Sequence, residues 1–313
     1  MQLNSQLKIY IKINHLKMTA IHLTIFLCLS FLSCQENANK TVTKLDTDKK
    51  MSIGKVDSIF HFKSKVSSIL EDRGGNFWIG SKEDGLCKYD GKTYTYFTTN
   101  NGLPSNSVPF IQEDKFGNIW LNNGKDISKF DGKQFTVFDK KYILTVDIRK
   151  QPIQLSESDL WFGDYGKVGI YRYDGNDLSF ISFEDSDLNL KLHYSHFFVS
   201  SITKVVNNQI WFGTLTQGAV GFDGKKFERI VDESLNFESE EEFLHIRSML
   251  LDTKGNLWIG NNGVGVILKK ENTLYHFSKD QGKLIPMKEF EVNTNKKQFA
   301  KNTGLQSFFI FFD

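Results

Sequence analysis

From Val66 to Phe277 the chain is written in short alternations of apolar and polar residues, interrupted by clusters of Gly, Asn and Asp. A period of two broken in this way predicts half-buried strands joined by tight turns, and no helical spacing competes within the stretch. All five tryptophans stand at one place in the pattern: Trp78, Trp120, Trp161, Trp211 and Trp258, between 41 and 50 residues apart. The first sits in Glu71-Asp72-Arg73-Gly74-Gly75-Asn76-Phe77-Trp78-Ile79-Gly80. Glu113-Asp114-Lys115-Phe116-Gly117-Asn118-Ile119-Trp120-Leu121 and Leu251-Asp252-Thr253-Lys254-Gly255-Asn256-Leu257-Trp258-Ile259-Gly260 repeat it. The third and fourth copies keep only Leu160-Trp161-Phe162-Gly163 and Ile210-Trp211-Phe212-Gly213.

A second phrase follows each of the first four tryptophans: Tyr89-Asp90-Gly91-Lys92, Phe130-Asp131-Gly132-Lys133, Tyr173-Asp174-Gly175-Asn176 and Phe222-Asp223-Gly224-Lys225. Asp-Gly between strand patterns predicts a type I′ hairpin. The fifth copy has Lys270-Glu271-Asn272 instead, which predicts a looser turn. Each period therefore holds four strands: one ending at Glu-Asp, one bearing Trp, one ending at aromatic-Asp-Gly, and one rich in aromatics such as Tyr94, Tyr96 and Phe97.

Four antiparallel strands per repeat of this length make a propeller blade. The expected fold class is all-β, a β-propeller of four-stranded blades, with five complete blades plus a partial sixth. The sixth is read from Asn302-Thr303-Gly304-Leu305-Gln306-Ser307, which repeats the linker Asn101-Gly102-Leu103-Pro104-Ser105-Asn106, with Phe308 to Asp313 as a first strand. Each Trp is expected between neighbouring blades. Closure of the ring is expected from pairing of Val56 to Phe62 with the last blade.

These phrases resemble the two-component regulator propeller repeat over most of residues 55–313, the first two blades most closely. The family's repeats form β-propeller sensor domains, often outside the cytoplasm and fused to a histidine kinase and a DNA-binding regulator. The resemblance implies the sensor fold alone, because the sequence has no kinase, receiver or helix-turn-helix segment. A stand-alone bacterial lipoprotein is the expectation.

The N-terminus supports that address. Residues 1–34 contain Lys8, Lys12 and Lys17, no acidic residue, and an apolar run from Ile21 to Leu32 ending at Ser33-Cys34. This is the shape of a secretory signal peptide, its apolar run shorter than the roughly 20 residues of a membrane span. Phe31-Leu32-Ser33-Cys34 resembles a lipobox, with small Ser33 in pattern and Phe31 outside it. The expected organisation is a lipoprotein-type signal peptide over 1–34 with Cys34 lipidated, a disordered tether over 35–54, and the propeller over 55–313. Simple secretion and a start at Met18 stay open. Cys28 lies in the leader, so Cys87 is the only thiol left in the propeller and is expected buried.

A formal net charge of +2 argues against nucleic acid as a partner. With strands running up and down in turn, the Gly-Asn and Asp-Gly turns share one face, and the loops after Trp-x-Gly share the other. The turns repeat and the loops vary, so binding is expected on the loop face. Its candidates are Lys82, Asp84, Asn122, Asn123, Lys125, Asp164, Tyr165, Thr216, Gln217 and Asn261. They suit a sugar, a peptide or a protein partner, and each is equally readable as a solvated loop residue. Membrane contact is expected through the lipid anchor only.

Sharper chemistry is not found. Asp185-Ser186-Asp187-Leu188-Asn189 opens like a calcium loop but has Leu190 and His196 at the glycine and glutamate positions. His193 and His196 lie in a predicted connection, with no Cys or third His near in sequence. Glu238 and Glu240 to Glu242 read as a solvated acidic loop, and Gly263-Val264-Gly265 lacks the setting of a dinucleotide fingerprint. No catalytic residues, metal or cofactor are expected. The reading is a non-catalytic extracytoplasmic sensor or scaffold in the periplasm or outer membrane. The alternative is a propeller-type lyase or hydrolase built on His193 or His196 at the channel mouth.

Overall fold

A computed structural model of the chain describes residues 54–184, 198–235, 244–261, 265–278 and 282–287. Five sheets follow one another along the chain, each built around one tryptophan strand. Blade 1 contains β1 (Lys55–Asp57), β2 (Val66–Glu71), β3 (Phe77–Ser81), β4 (Leu86–Tyr89) and β5 (Tyr94–Phe97). Blade 2 contains β6 (Phe110–Glu113), β7 (Ile119–Asn122), β8 (Ile127–Phe130) and β9 (Phe135–Phe138). Blade 3 contains β10 (Leu144–Val146), β11 (Leu160–Gly163), β12 (Gly169–Tyr173) and β13 (Leu178–Ser182). Blade 4 contains β14 (Val199–Ile202), β15 (Ile210–Thr214), β16 (Ala219–Phe222) and β17 (Phe227–Ile230). Blade 5 contains β18 (Ile246–Leu251), β19 (Leu257–Asn261), β20 (Gly265–Lys270), β21 (Thr273–Ser278) and β22 (Lys283–Pro286).

The tryptophans hold blade to blade. Trp78, Trp120, Trp161 and Trp211 are each 3% exposed or less. Each packs on the next blade: Trp78 on Ile119, Leu121 and Phe130; Trp120 on Leu160, Phe162 and Tyr173; Trp161 on Ile210, Phe212 and Phe222; Trp211 on Leu257 and Ile259. A cation covers each of these rings, at 5.5 Å for Lys88 on Trp78, 5.9 Å for Lys129 on Trp120 and 5.8 Å for Arg172 on Trp161. Those three stand cross-strand from their own blade's Trp. In blade 4 that cross-strand position is Gly221, and Lys269 of blade 5 reaches Trp211 instead, at 5.4 Å.

The Glu-Asp-x-x-Gly-Asn-x-Trp phrase is a hydrogen-bonded unit. Asp114 accepts the Asn118 amide and the Trp120 indole N–H, both at 2.8 Å, and the backbone N–H groups of Phe116 and Asn118. Asp72 and Asp252 do the same for Trp78 and Trp258. Burial opposes ionisation of all three, but the indole and amide donors outweigh it and hold each carboxyl below its ordinary value. Copies three and four lack this aspartate, and the indole N–H groups of Trp161 and Trp211 are buried without a partner among the described residues.

Four expectations need correction. The Asp-Gly turns are not centred on Asp-Gly: Asp90 donates its N–H to the Thr93 carbonyl at 3.2 Å across Gly91-Lys92, and Asp90 Oδ1 accepts the N–H groups of Lys92 and Thr93. Only Gly91 has positive φ in that turn, whereas type I′ needs it at both central residues. The fifth turn is not looser, because Lys270 pairs directly with Thr273 across two residues and Glu271 takes φ 53. In blade 3 no described strand pairs with the edge of the Trp strand β11 that faces away from β12: β10 joins the opposite edge of the sheet, parallel to β13. Finally, β1 covers only Lys55–Asp57 and pairs with β5 of blade 1, not with the last blade.

Residues 35–53 of the expected tether, the lipidation site and the sixth-blade strand lie outside the described residues. Among those described, no helix is long and apolar enough to cross a membrane.

Candidate functional site

The antiparallel ladders place the loops after the Trp strands together on one face, as the alternation of strands requires. One position organises these loops in every blade. Three residues after each Trp stands a short polar residue: Ser81, Asn123, Asp164, Thr214 and Asn261. Each turns its side chain back onto its own loop. Ser81 Oγ donates to the Gly85 carbonyl and accepts the Asp84 N–H; Thr214 Oγ1 does the same with Gly218 and Gln217. Asn123 Oδ1 accepts from Lys125 and Asp126, Asp164 Oδ1 from Gly166 and Lys167, and Asn261 Nδ2 donates to Gly265. These are turn-capping bonds typical of Ser, Thr, Asn and Asp. Three of the candidates, Asn123, Asp164 and Asn261, thus fix loop shape.

Asn122 is also committed to the framework. The missing inner strand of blade 3 leaves an edge of β11 without a ladder partner. Side chains of blade 2 occupy it: Gln112 Nε2 donates to the Trp161 carbonyl at 2.7 Å and Gln112 Oε1 accepts the Trp161 N–H. Asn122 Nδ2 donates to the Gly163 carbonyl at 2.9 Å. Two side-chain amides therefore replace backbone amides at this edge, and buried backbone groups are satisfied.

Blades 2, 3 and 4 meet at the same place. Lys140, in a short 3-10 turn between blades 2 and 3, donates from Nζ to Asp164 Oδ2 at 2.7 Å and to the Gly124 carbonyl at 2.8 Å. Burial opposes the charge on Asp164, and Lys140 with the loop N–H groups outweighs it, so its carboxyl stays below the ordinary value. Burial and the neighbouring Asp164 push the Tyr171 phenol up. Beside this pair the ring of Tyr165 lies over Gly124, where a Cβ would fall 1.7 Å from the ring. Tyr165 also stacks on Phe198, with centroids 5.0 Å apart and planes 15° apart. Yet 41% of Tyr165 stays exposed, so part of a ring fixed by Gly124 and Phe198 faces solvent.

The structure thus brings Asn122, Asp164 and Tyr165 together at one junction. Lys125 projects from the adjacent loop and is exposed. In blade 1, Asp84 is a clasp whose Oδ2 accepts the N–H groups of Lys63 and Ser64. Those backbone and Ser64 bonds lower its pKa. Lys82 is exposed and contacts Glu83 at 3.3 Å. In blade 4, Gln217 is buried and accepts from Arg229 at 3.1 Å, while Thr216 is half-buried. Gln112, Lys140 and Phe198 are contributors not foreseen from sequence. His193, His196, the Asp185–Asn189 stretch and the acidic run lie outside the described residues. Among those described, no group of three side chains could hold a metal ion.

The architecture is that of a β-propeller with four-stranded blades. The family model described as two component regulator propeller matches residues 242–263, the fifth Trp copy. None of the curated proteins matches the chain. Among solved structures, it is similar to PorZ, a bacterial surface component of the type-IX secretion system of Porphyromonas gingivalis, at 17% identity and TM-score 0.45 over 75% of this chain and 35% of that one. The extracellular domain of a putative one component system, BT4673 of B. thetaiotaomicron, is similar at 21% identity and TM-score 0.42, over 72% and 35%. Virginiamycin B lyase from Staphylococcus aureus is similar at 14% identity and TM-score 0.47, over 76% and 73%. The chain spans about a third of the length of the first two.

Proposed function

We propose that the protein is a non-catalytic, extracytoplasmic propeller module that binds a polar ligand or protein partner on its loop face, in the service of two-component-type sensing. The repeat family supports the sensor class. The observation that carries the binding site is Tyr165, a partly exposed aromatic ring held by Gly124 and Phe198, in a junction whose next loop residue after Gly124 is the exposed Lys125. A preformed aromatic surface next to a cation suits stacking of a sugar ring or peptide side chain without ordering cost. Blade loops around it, through Lys82 and Thr216, supply polar variety. Localisation by the leader and lipidation of Cys34 belong to this reading, with the membrane reached through the lipid only.

The test is a thermal-shift titration of the full chain with a panel of neutral and acidic oligosaccharides and short peptides. A saturable rise in Tm that is lost in Tyr165→Ala is the expected result. A flat response across the panel, or a rise that Tyr165→Ala retains, would refute the site.

A further inference from the structure

One contact joins the Tyr165 loop to the stretch of chain that crosses from blade 2 to blade 3. The Gly124 carbonyl accepts two donors, Lys140 Nζ at 2.8 Å and the Tyr165 N–H at 3.3 Å. Lys140 Nζ also donates to Asp164 Oδ2 at 2.7 Å, and Asp164 is the residue before Tyr165. The ammonium lies 5.2 Å from the centre of the Tyr171 ring, which is fully buried. Lys140 therefore grips both supports of Tyr165: Gly124 beneath its ring and Asp164 beside it in the chain. Only 16% of the lysine side chain and 7% of the aspartate side chain are exposed, so water and salt screen this pair less than a surface pair.

The crossing itself, residues 139–146, has few other anchors among the described residues. It consists of a 3-10 turn at Lys140–Tyr142 followed by β10. β10 is an edge strand that pairs parallel with β13 through three residues, Leu144 with Ser179, Thr145 with Phe180 and Val146 with Ile181. Parallel pairing is slightly less stable per residue than antiparallel pairing. Tyr142 and Leu144 are 45% and 70% exposed, so their side chains add little burial. Ile143 and Val146 are half-buried at the rims of two core clusters. Lys141, the next residue, makes only a surface pair with Asp139. A segment with few buried apolar contacts and one strong polar anchor is the kind that opens locally while the rest of the fold stays intact.

We propose that residues 139–146 form a strap, latched by Lys140, and that opening of the strap is coupled to the seating of Tyr165. With the latch closed, Gly124 and Asp164 hold the ring in place; with the latch open, both supports are released at once. Coupling is reciprocal, so whatever binds the seated ring holds the strap closed, and opening of the strap weakens binding. The strap thereby carries the state of the loop face to the β10 edge of blade 3. This use as a relay rests on Tyr165 as the binding residue, whereas the latch and its coupling are testable with no ligand.

Amide hydrogen exchange read by peptide mass spectrometry, on the full chain, follows the strap at residues 142–146 and the global fold at Leu257–Asn261 of blade 5. Lys140→Ala combined with Asp164→Asn removes the latch, strands no buried carboxylate and keeps the side-chain oxygen that caps the loop. Strap exchange should then rise at least about tenfold. Tyr165→Ala should raise it at least about fivefold, although Lys140 and Asp164 are both intact. Lys141→Ala, a surface change in the same turn, should leave it as in wild type, and blade 5 should not change in any variant. Should the double variant not melt cooperatively, Tyr165→Ala, at a partly exposed position, decides alone. Unchanged strap exchange in either of these two variants, an equal rise in Lys141→Ala, or a rise shared by blade 5 would overturn the proposal. Failure of every ligand to bind at Tyr165, with the exchange results as expected, would overturn the sensor reading and leave the latch standing.

Discussion

The aspartate–indole bond in blade 2 lends itself to a quantitative prediction. Asp114 is 1% exposed and Trp120 likewise 1% exposed, so neither group has water to fall back on when the other is removed. Asp114→Ala deletes a charge-assisted bond of 2.8 Å and strands the indole N–H in the core. Hydrogen bonds to charged groups contribute about 1.5–3 kcal/mol net, and an orphaned buried donor costs about 1–3 kcal/mol, terms that overlap. A total loss of about 3 kcal/mol is expected, because the Phe116 and Asn118 N–H groups lie nearer the surface. Trp120→Phe, which removes the donor and leaves the carboxylate, should couple to it. The double-mutant cycle, followed by urea unfolding with far-UV circular dichroism, should give a coupling of about 1.5–3 kcal/mol. Asp72 with Trp78 should follow the same sign with a smaller value, and Asp252 with Trp258, at 3.3 Å, the smallest. Blade 4 supplies the control, since Trp211 has no indole acceptor among the described residues and Trp211→Phe loses ring contacts alone. A coupling below about 0.5 kcal/mol in blade 2 would refute the assignment of the aspartate as the tryptophan's anchor.

Other consequences follow from the same geometry. Because Asp72, Asp114 and Asp252 have folded-state values below the ordinary 3.8, their contribution is full above that pH and is lost as pH falls through the depressed values; an acid melt series should show stability dropping below about pH 4, less steeply in Asp114→Asn. Gly221→Ala should cost about 1–3 kcal/mol, since its Cβ would lie 2.8 Å from the Trp211 ring, and differential scanning calorimetry should detect it. Lys140→Met strands a 6% exposed Asp164 and should cost about 3–5 kcal/mol, whereas Lys140→Met with Asp164→Leu should recover much of it. Gln112→Ala should raise amide hydrogen exchange at Trp161, whose N–H and carbonyl it serves, with little effect in blade 5.

The parts of the fold legible in the sequence are those where backbone geometry dictates residue type. Five copies of one Trp phrase and four of Asp-Gly gave blade number and strand order, because turns need Gly at positive φ and inter-blade seats need a large ring. The loop-capping residue three positions after each Trp is equally visible, as Ser, Asn, Asp, Thr and Asn, yet read loop by loop three of the five, Asn123, Asp164 and Asn261, resemble binding chemistry. Comparison of the five copies at that one position distinguishes a recurrent cap from a recognition residue. Blade 3 was not legible. Pro152 and the polar Ser156-Glu157-Ser158 break its inner strand, and the compensation comes from Gln112 and Asn122 in a different repeat, at a sequence distance no local pattern spans. Tyr165 stood among the candidates, yet its role depends on Gly124 and Phe198, which only packing brings to it. The N-terminal aromatics were expected to close a ring and instead lie on their own blade, held by the Tyr96 hydroxyl.

The proposed function divides labour between two faces: turns that repeat because they build blades, and loops among which the partly exposed Tyr165 is assigned to recognition. The most direct measurement compares that division within one titration. Isothermal titration of the oligosaccharide and peptide panel would be run on wild type, on Tyr165→Ala and Lys125→Ala from the loop face, and on Lys92→Ala and Lys133→Ala from the turn face. The account predicts heat of binding that disappears in Tyr165→Ala, weakens in Lys125→Ala and is unchanged in both turn-face variants. Binding lost through the turn face and kept in Tyr165→Ala would contradict it.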